Sequence, residues 1–236
     1  MSLHIGILQT DSVRPEWQSE HGDYPHMFEG LFAAADERLR FTSYDVQQTA
    51  PASIECDAYV ITGSRHSVYD DFPWIPALAE FVAAAMAEDR KIIGICFGHQ
   101  LMAHFFGGRV DVHHGGWAVG VHRSEVITRQ SWMPDEAASF ALLSSHRDQV
   151  QELPQSAEVY LSNEFCPIAG FTMGNQVITV QGHPEFSAPY ARALMDSRRD
   201  ILGEDVYQSG VESLAEITTE DAMARWLLAF AAAGRE

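Results

Sequence analysis

Basic residues are scarce in this sequence. It has 15 lysines and arginines against 33 aspartates and glutamates, and its formal net charge is −18. Proteins that bind nucleic acids or anionic membranes need a basic surface to contact the phosphate groups. The charge balance therefore argues against both kinds of partner, whereas a few local cations could still hold a small anionic substrate.

Long apolar runs and paired cysteines are missing as well. No apolar run approaches the roughly 20 residues that cross a bilayer, and the N-terminal segment MSLHIGILQTD lacks the basic start of a secretion signal. The three cysteines, Cys56, Cys96 and Cys166, form an odd and sparse set. Such a set is typical of reduced thiols, so we expect a cytoplasmic protein without a membrane segment.

Internal repeats, linkers and low-complexity tracts are absent, so we expect residues 1–236 to form a single domain. In the first half, apolar runs that are typical of buried strands alternate with segments of helical periodicity. This alternation predicts parallel strands joined by right-handed crossovers, with helices on both faces of the sheet. The predicted strands are His4–Gln9, 40–46, 57–63 and Lys91–Ile95, and the predicted helices are 24–39, 74–89 and 97–106.

The second half contains short strand-like runs without helices between them. Two of these runs flank Gly174-Asn175, which is a hairpin signal. We therefore predict an α/β fold, an open and mostly parallel sheet with helices on both faces plus a small antiparallel or mixed sheet. The short strands are predicted at 109–113, 119–128, 140–143, 158–161, 168–173 and 176–181, and the closing helices at 189–202 and 219–233.

The segment Gly94-Ile95-Cys96-Phe97-Gly98 has the form G-x-C-x-G, the thiol version of the G-x-S-x-G nucleophile elbow. A nucleophile on a tight strand-to-helix turn has a strained backbone, and glycines on both sides remove steric collisions. The turn also presents the sulfur at a helix N-terminus, where the dipole stabilises a thiolate. The alternative is that Cys96 is a buried small apolar residue. Cys56 and Cys166 lack this setting, and we interpret both as structural.

A thiol nucleophile needs a base, and the base needs a group that orients it. Among the 11 histidines, His183 follows an apolar run and precedes Pro184-Glu185. Side chains at i and i+2 of an extended segment point to the same side, so Glu185 can hold one ring nitrogen while the other faces Cys96. We predict this triad at the carboxyl ends of the strands. The alternative is that His-Pro-Glu only turns the chain. His99, on the elbow helix, is expected to pack or cap.

Attack on a carbonyl group also requires donors for the negative oxygen of the tetrahedral intermediate. The N–H of Phe97, directly after the nucleophile, is one predicted donor. The N–H groups of Gly63 and Ser64 are the others, because their loop follows the third strand and glycine allows a close approach. A plain surface turn is the alternative for this loop.

Four segments occur in an informative order. They are YVITGSRHSVYDD, GICFGHQLMAHFFGG, LLSSHRDQV and VQGHPEF. Together they resemble the oxyanion loop, nucleophile, S-H-x-D-x-V and His–Glu segments of the class I (triad) glutamine amidotransferase domain. The likeness covers about residues 4–185. The segments resemble in particular those of the stand-alone family members, which are similar to the amidotransferase part of GMP synthase.

The resemblance implies a flavodoxin-like topology and hydrolysis of glutamine to glutamate and ammonia. Cys96 would form a γ-glutamyl thioester, His183 would transfer the proton, and Glu185 would hold His183. Water would then release glutamate from the sulfur. We expect neither a cofactor nor a metal. His113-His114 and His122 would be the metal alternative, but no H-E-x-x-H or cysteine-pair spacing accompanies them.

The resemblance also implies a substrate pocket. Gln100 would help to hold the glutamine side chain. Backbone groups around Ser145, His146 and Arg147 would meet its α-amino and α-carboxylate ends. The substrate is then glutamine or another γ-glutamyl small molecule.

Several features depart from the common family pattern. The oxyanion loop reads Thr62-Gly63-Ser64 instead of Gly-Gly-Pro, and Gly182 stands where an aromatic residue is common. GGWAVG and SVYDDFPW look like the stand-alone subgroup that includes enzymes acting on γ-glutamyl peptides or conjugates. The identity of the leaving group therefore stays open.

Three functions are compatible with these features. The chain could donate ammonia to a separate synthetase protein, since it has no phosphate loop and no room for a synthetase domain. It could be a self-contained hydrolase or transferase of γ-glutamyl compounds. It could also be a catalytically silent binding module. The oligomeric state is not indicated by the sequence.

Overall fold

A computed structural model describes residues 2–234 of the chain. The strands are β1 (His4–Gln9), β2 (Arg40–Asp45), β3 (Ala58–Ile61), β4 (Lys91–Ile95), β5 (Arg109–Val112), β6 (Ala118–Val126), β7 (Ser139–His146), β8 (Asp148–Glu152), β9 (Ala157–Ser162), β10 (Gly170–Met173) and β11 (Val177–Val180). The helices are α1 (Pro15–His21), α2 (Tyr24–Ala35), α3 (Trp74–Ala87), α4 (Phe97–Phe105), α5 (Ala188–Ser197), α6 (Arg199–Leu202), α7 (Glu204–Ser213) and α8 (Glu220–Ala232).

The four strands of the first half, together with β11, form the parallel part of the main sheet. Their order is β2-β1-β3-β4-β11, and every neighbouring pair in this part is parallel. This is the 2-1-3-4-5 order of flavodoxin-like folds, with β11 as the fifth strand. The residues of β3 are all buried, as expected for a parallel strand covered on both faces. The predicted α/β fold is confirmed.

The remaining strands of the main sheet are antiparallel. β11 and β10 form a hairpin through Gly174, whose φ is +55°. β9, β6 and β7 then continue the same sheet, and β5 pairs with β8 in a separate two-stranded sheet. Most of the antiparallel strands predicted in the second half therefore extend the main sheet. Within residues 2–234, the separate small sheet consists of β5 and β8.

Helices cover both faces of the main sheet. On one face, α2 and α8 bury large side chains such as Phe28, Phe32, Trp226 and Phe230. On the other face, α3 and α4 bury side chains such as Leu78, Val82 and Leu101. Of the helices formed by residues 2–234, none combines the length and apolar character that crossing a bilayer requires.

Some predicted elements need correction. The helix predicted at 189–202 is two helices, α5 and α6, because the backbone leaves the helical region at Arg198 (φ −116°, ψ 8°). Three further elements, α1, α7 and β8, were not predicted from the sequence. No residue of α1 is buried, and α7 buries only Tyr207 and Gly210. Helices with so little buried surface lack the apolar periodicity on which prediction from sequence depends.

Candidate active site

Four parallel strands end at the same edge of the sheet, and each contributes to one site. β4 leads into Cys96, β3 into Gly63 and Ser64, β1 into Thr10 and Asp11, and β11 into the segment that carries His183. Carboxyl ends of neighbouring parallel strands meet at one edge, which is where sites form in open α/β sheets. The topology therefore brings together segments that are far apart in the sequence.

Cys96 occupies a sharp turn between β4 and α4. Its φ of +50° and ψ of −94° are unusual for a residue with a side chain. The turn is held from both sides, because the Cys96 N–H donates to Val180 O at 2.9 Å and the Gln100 N–H donates to Cys96 O at 3.0 Å. Cys96 is 5% exposed. The predicted nucleophile elbow has this geometry.

The two glycines of the elbow are explained by close contacts. A Cβ atom at Gly94 would lie 2.7 Å from the backbone of Gly98, and a Cβ atom at Gly98 would lie 2.6 Å from the Ile61 oxygen. The first of these neighbours belongs to helix α4 and the second to strand β3, so neither can move without disturbing an element of the fold. Glycine at these positions therefore lets the elbow pack against itself and against β3.

His183 is fixed by its backbone and by its ring. Its N–H donates to Leu143 O on β7 at 2.7 Å, and its Nδ1 lies 2.7 Å from Glu185 Oε1. The ring of Phe186 stacks on the imidazole, with centroids 3.9 Å apart and planes 9° apart. This role of Phe186 was not predicted from the sequence, although the residue directly follows the His-Pro-Glu segment.

The charge state of His183 follows from its neighbours. Burial by itself would lower its pKa, but the interactions of the ring with Glu185 and then with Cys96 outweigh burial and raise that pKa to about 10. The imidazole is therefore positively charged at neutral pH, and its Nε2 is left to face away from Glu185. A cation beside the sulfur is the partner that a thiolate nucleophile needs.

The loop after β3 is positioned by Thr10. Thr10 Oγ1 lies 2.9 Å from the Gly63 oxygen and 3.1 Å from the Thr62 oxygen. In a trans peptide the C=O and the following N–H point in opposite directions, so the N–H groups of Gly63 and Ser64 point away from Thr10. Within residues 2–234, neither N–H donates to a backbone oxygen. Both N–H groups are thus available, as an oxyanion hole requires.

Asp11 and Arg65 fix the same loop, and neither was predicted from the sequence. The Asp11 carboxylate accepts hydrogen bonds from the N–H and the Nε of Arg65, at 2.9 Å and 2.8 Å. The Asp11 side chain is 7% exposed, whereas that of Arg65 is 53% exposed. The signal available in the sequence was the polar run Thr10-Asp11-Ser12 directly after a buried strand.

Gly63 lies against the candidate catalytic residues. A Cβ atom at this position would lie 2.7 Å from His183 Cε1 and 3.6 Å from Cys96 Cβ. Residues 63, 96 and 183 therefore lie next to one another, whereas their catalytic roles stay predictions. The N–H of Phe97 lies at the first position of α4, where helix N–H groups have no partner within the helix.

Gly63→Ala tests this contact. The added methyl group would collide with the imidazole and displace it, and we expect kcat/KM to fall by about 100-fold, as for a misplacement of about 1 Å. Circular dichroism and thermal unfolding should change little. Gly30→Ala is the matched control, because a Cβ atom there meets nothing within 4 Å. Wild-type activity in Gly63→Ala would contradict the assigned geometry.

Cys96 lines two adjoining cavities. The first, which we call the Gln100 cavity, has a volume of about 780 Å³ including the part open to solvent. The predicted substrate residues Gln100, Ser145, His146 and Arg147 all line it. The second, which we call the His183 cavity, has a volume of about 560 Å³ on the same basis. In addition to His183 and Cys96, it is lined by residues that include Asp11, Arg14, Trp17, Tyr24 and Tyr190.

The side chains of the Gln100 cavity are partly committed to the protein itself. Gln100 Nε2 donates to the Asp148 backbone oxygen at 2.8 Å and to Gln181 Oε1 at 3.2 Å. His146 is buried, and burial lowers its pKa to about 3, so its ring is neutral. A direct substrate contact of Gln100, Ser145, His146 or Arg147 stays a prediction.

The two other cysteines and His99 are buried in the protein interior. Cys56 and Cys166 are buried, and burial raises the pKa of both thiols. His99 is fully buried and its Nδ1 lies 2.8 Å from Thr179 Oγ1. Burial lowers the pKa of His99 to about 3, which is unsuited to a base that must gain a proton near neutral pH.

Known proteins are similar to this chain in sequence and in fold. The family model of class-I glutamine amidotransferases matches residues 31–195. Gamma-glutamyl peptidase 3 of Arabidopsis thaliana is 33% identical over 173 residues, which cover 70% of this chain and 68% of the relative. One component of the glutamine-hydrolyzing GMP synthase of Methanopyrus kandleri is 31% identical over 118 residues, covering 48% of this chain and 62% of the relative.

A glutamine amidotransferase from Thermotoga maritima has the same fold. Its crystal structure aligns with a TM-score of 0.75 and 18% identity, covering 98% of this chain and 96% of the other. The resemblance that the four sequence segments indicated is confirmed. Since the family model spans more than half of its residues, the chain belongs to the class-I glutamine amidotransferase family.

Proposed function

We propose that the chain cleaves the amide bond of a γ-glutamyl compound through a γ-glutamyl thioester on Cys96. The observation that carries this proposal is the strand-to-helix turn of Cys96 beside His183, whose Nδ1 meets Glu185 at 2.7 Å. A sulfur next to a charged imidazole in a cleft is the usual arrangement of a thiol nucleophile.

In the first half of the reaction, the Cys96 sulfur attacks the side-chain carbonyl carbon of the substrate. The N–H groups of Gly63, Ser64 and Phe97 stabilise the negative oxygen that forms. The imidazolium of His183 then gives its proton to the leaving nitrogen. The carbon–nitrogen bond breaks, the amine or ammonia departs, and the thioester remains.

In the second half, the neutral His183 takes a proton from a water molecule that attacks the thioester. The carbon–sulfur bond breaks, glutamate leaves, and the Cys96 sulfur and the charged imidazole are restored. Glu185 holds the ring by Nδ1 throughout and stabilises its positive charge. This role makes Glu185 an orienting residue.

Two uses of this chemistry differ in the leaving group. In one, glutamine is the substrate and ammonia passes to a separate synthetase protein, a use that the name of the GMP synthase component suggests. In the other, the chain acts alone on γ-glutamyl peptides, as the name of the Arabidopsis relative suggests. The second use is favoured by the 33% identity of the Arabidopsis relative over 70% of the chain.

The test is a steady-state assay of the purified chain without any partner. Glutamate release would be followed with glutamine and with γ-glutamylglycine as substrates, and we expect the higher kcat/KM for the dipeptide. Efficient hydrolysis of glutamine alone would favour the ammonia-donating use. Cleavage of no γ-glutamyl compound would contradict the proposed function and favour a binding module.

A further inference from the structure

The His183 cavity and the Gln100 cavity adjoin, and both are lined by Ser64, Arg65, Cys96, Ser145 and Arg198. Gln100, His146 and Arg147 line only the Gln100 cavity, whereas His183 lines only the His183 cavity. Cys96 lies on the wall of both. A substrate whose carbonyl carbon sits at Cys96 can therefore extend into both cavities.

The proposed reaction determines which cavity holds each half of the substrate. A general acid must lie within hydrogen-bond reach of the nitrogen that it protonates. Because His183 protonates the leaving nitrogen in the proposed reaction, the leaving group must lie in the cavity that His183 lines. The glutamyl half then occupies the Gln100 cavity.

The apolar surface of the His183 cavity exceeds what ammonia needs. Trp17 is half-buried at its wall, and Tyr24 and Tyr190 are buried there. The hydroxyl groups of the two tyrosines lie 3.0 Å apart and satisfy each other. Because both tyrosines and Leu194 are buried, the half-buried Trp17 supplies most of the apolar surface that a ligand in this cavity could contact. Aromatic walls of this kind bind apolar side chains.

The cavity also contains cations without acidic partners. Arg65 is paired with Asp11, but among residues 2–234 neither Arg14 nor Arg198 forms an ion pair with a carboxylate. The Arg14 guanidinium lies 4.8 Å from the centre of the Trp17 ring. Arg198 lines both cavities and donates to Ser145 Oγ at 2.7 Å, so Arg14, which lines only the His183 cavity, is the cation available there for an anionic group of the ligand.

We propose that the His183 cavity is the subsite for a leaving group that is an amino acid or short peptide with an apolar side chain and a free carboxylate. The substrate class is then a γ-glutamyl peptide whose second residue is apolar. Trp17 contacts that side chain and Arg14 binds the carboxylate. This inference rests on the proposed cleavage of γ-glutamyl amides, and it adds the part of the substrate that determines specificity.

The experiment compares glutamate release from four substrates: glutamine, γ-glutamylglycine, γ-glutamylphenylalanine and the carboxamide of γ-glutamylphenylalanine. We expect the wild type to prefer phenylalanine over glycine and the free carboxylate over the carboxamide. Trp17→Ala should lower the ratio of kcat/KM for γ-glutamylphenylalanine to that for γ-glutamylglycine by about tenfold. Arg14→Gln should lower the ratio of kcat/KM for γ-glutamylphenylalanine to that for its carboxamide by about tenfold. Each ratio compares two substrates with the same variant. A smaller fraction of folded protein therefore lowers both kcat/KM values equally and leaves their ratio unchanged.

Conservative and distant variants serve as controls. Trp17→Phe keeps an aromatic wall and should retain most of the preference for phenylalanine. Arg38→Gln removes an exposed arginine that pairs with Asp36, outside both cavities, and should leave both ratios at the wild-type values.

The outcomes separate the two proposals. Cleavage of γ-glutamyl substrates with ratios that Trp17→Ala and Arg14→Gln do not change would overturn the subsite and leave the proposed function intact. A wild type that prefers glutamine to both dipeptides would also overturn the subsite. A wild type that cleaves none of the four substrates would overturn the proposed function, and the subsite with it.

Discussion

Cys96→Ala is expected to lower kcat/KM by roughly 10⁴-fold or more, because removal of a covalent nucleophile leaves only the binding and oxyanion contributions. Cys96→Ser should have a similar effect, since a hydroxyl group is a much weaker nucleophile than a thiolate. The fold should persist in both variants, because the change removes or replaces one atom at an elbow that backbone hydrogen bonds hold. Glutamate release and thermal unfolding would be measured together.

Cys56→Ala is the matched control for this prediction. Cys56 is also buried, but it lies beside Tyr44 and outside both cavities. Its loss should leave kcat/KM near the wild-type value. Mass spectrometry after treatment with a γ-glutamyl electrophile should show modification of the wild type and of Cys56→Ala, and none of Cys96→Ala. Undiminished turnover in Cys96→Ala would remove the basis of the proposed mechanism.

His183→Ala should also cost roughly 10⁴-fold or more in kcat/KM, because the imidazole both pairs with the sulfur and transfers the proton. Glu185→Ala should cost about 10 to 100 times less than His183→Ala, since the carboxylate orients the ring and does not transfer the proton itself. His26→Ala, which removes an exposed histidine of α2, is the control. A larger loss in Glu185→Ala than in His183→Ala would contradict the assigned roles.

The pH dependence gives an independent reading of the same pair. The raised pKa of His183, about 10, means that the imidazole stays protonated at neutral pH and loses its proton as the pH rises through that value. The profile of kcat/KM reports the free enzyme, so we expect its alkaline fall near pH 10. The Glu185 charge raises this pKa, and Glu185→Ala should therefore move the alkaline fall to lower pH. An unchanged alkaline limb would show that His183 does not govern it.

Much of the site could be predicted because it depends on short segments. The elbow is a local steric problem, in which Gly94 and Gly98 contact each other across one turn. The His183–Glu185 pair is likewise local, because i and i+2 share a side in extended chain. The strands and helices of the first half could be predicted from their apolar periodicity, which reflects burial on one or both faces.

Other parts of the site depend on contacts between distant segments. Asp11 holds Arg65 across 54 positions, and Phe186 stacks on His183 although nothing in the sequence indicates a stacked geometry. The helix α1 was missed because none of its residues is buried, yet Trp17 from this helix forms a wall of the His183 cavity. Such residues have no periodic pattern, because they serve a cavity and not a core.

The sequence by itself predicted the nucleophile and its partners and indicated the family, because each of these depends on neighbouring residues whose geometry the local backbone dictates. The tertiary structure alone decided that Cys96 lines two adjoining cavities and that Arg14 and aromatic side chains line the one beside His183. The physical reason is that a cavity is formed where segments from the N-terminal, middle and C-terminal parts of the chain pack together. Its shape and charge therefore follow from the order of strands in the sheet.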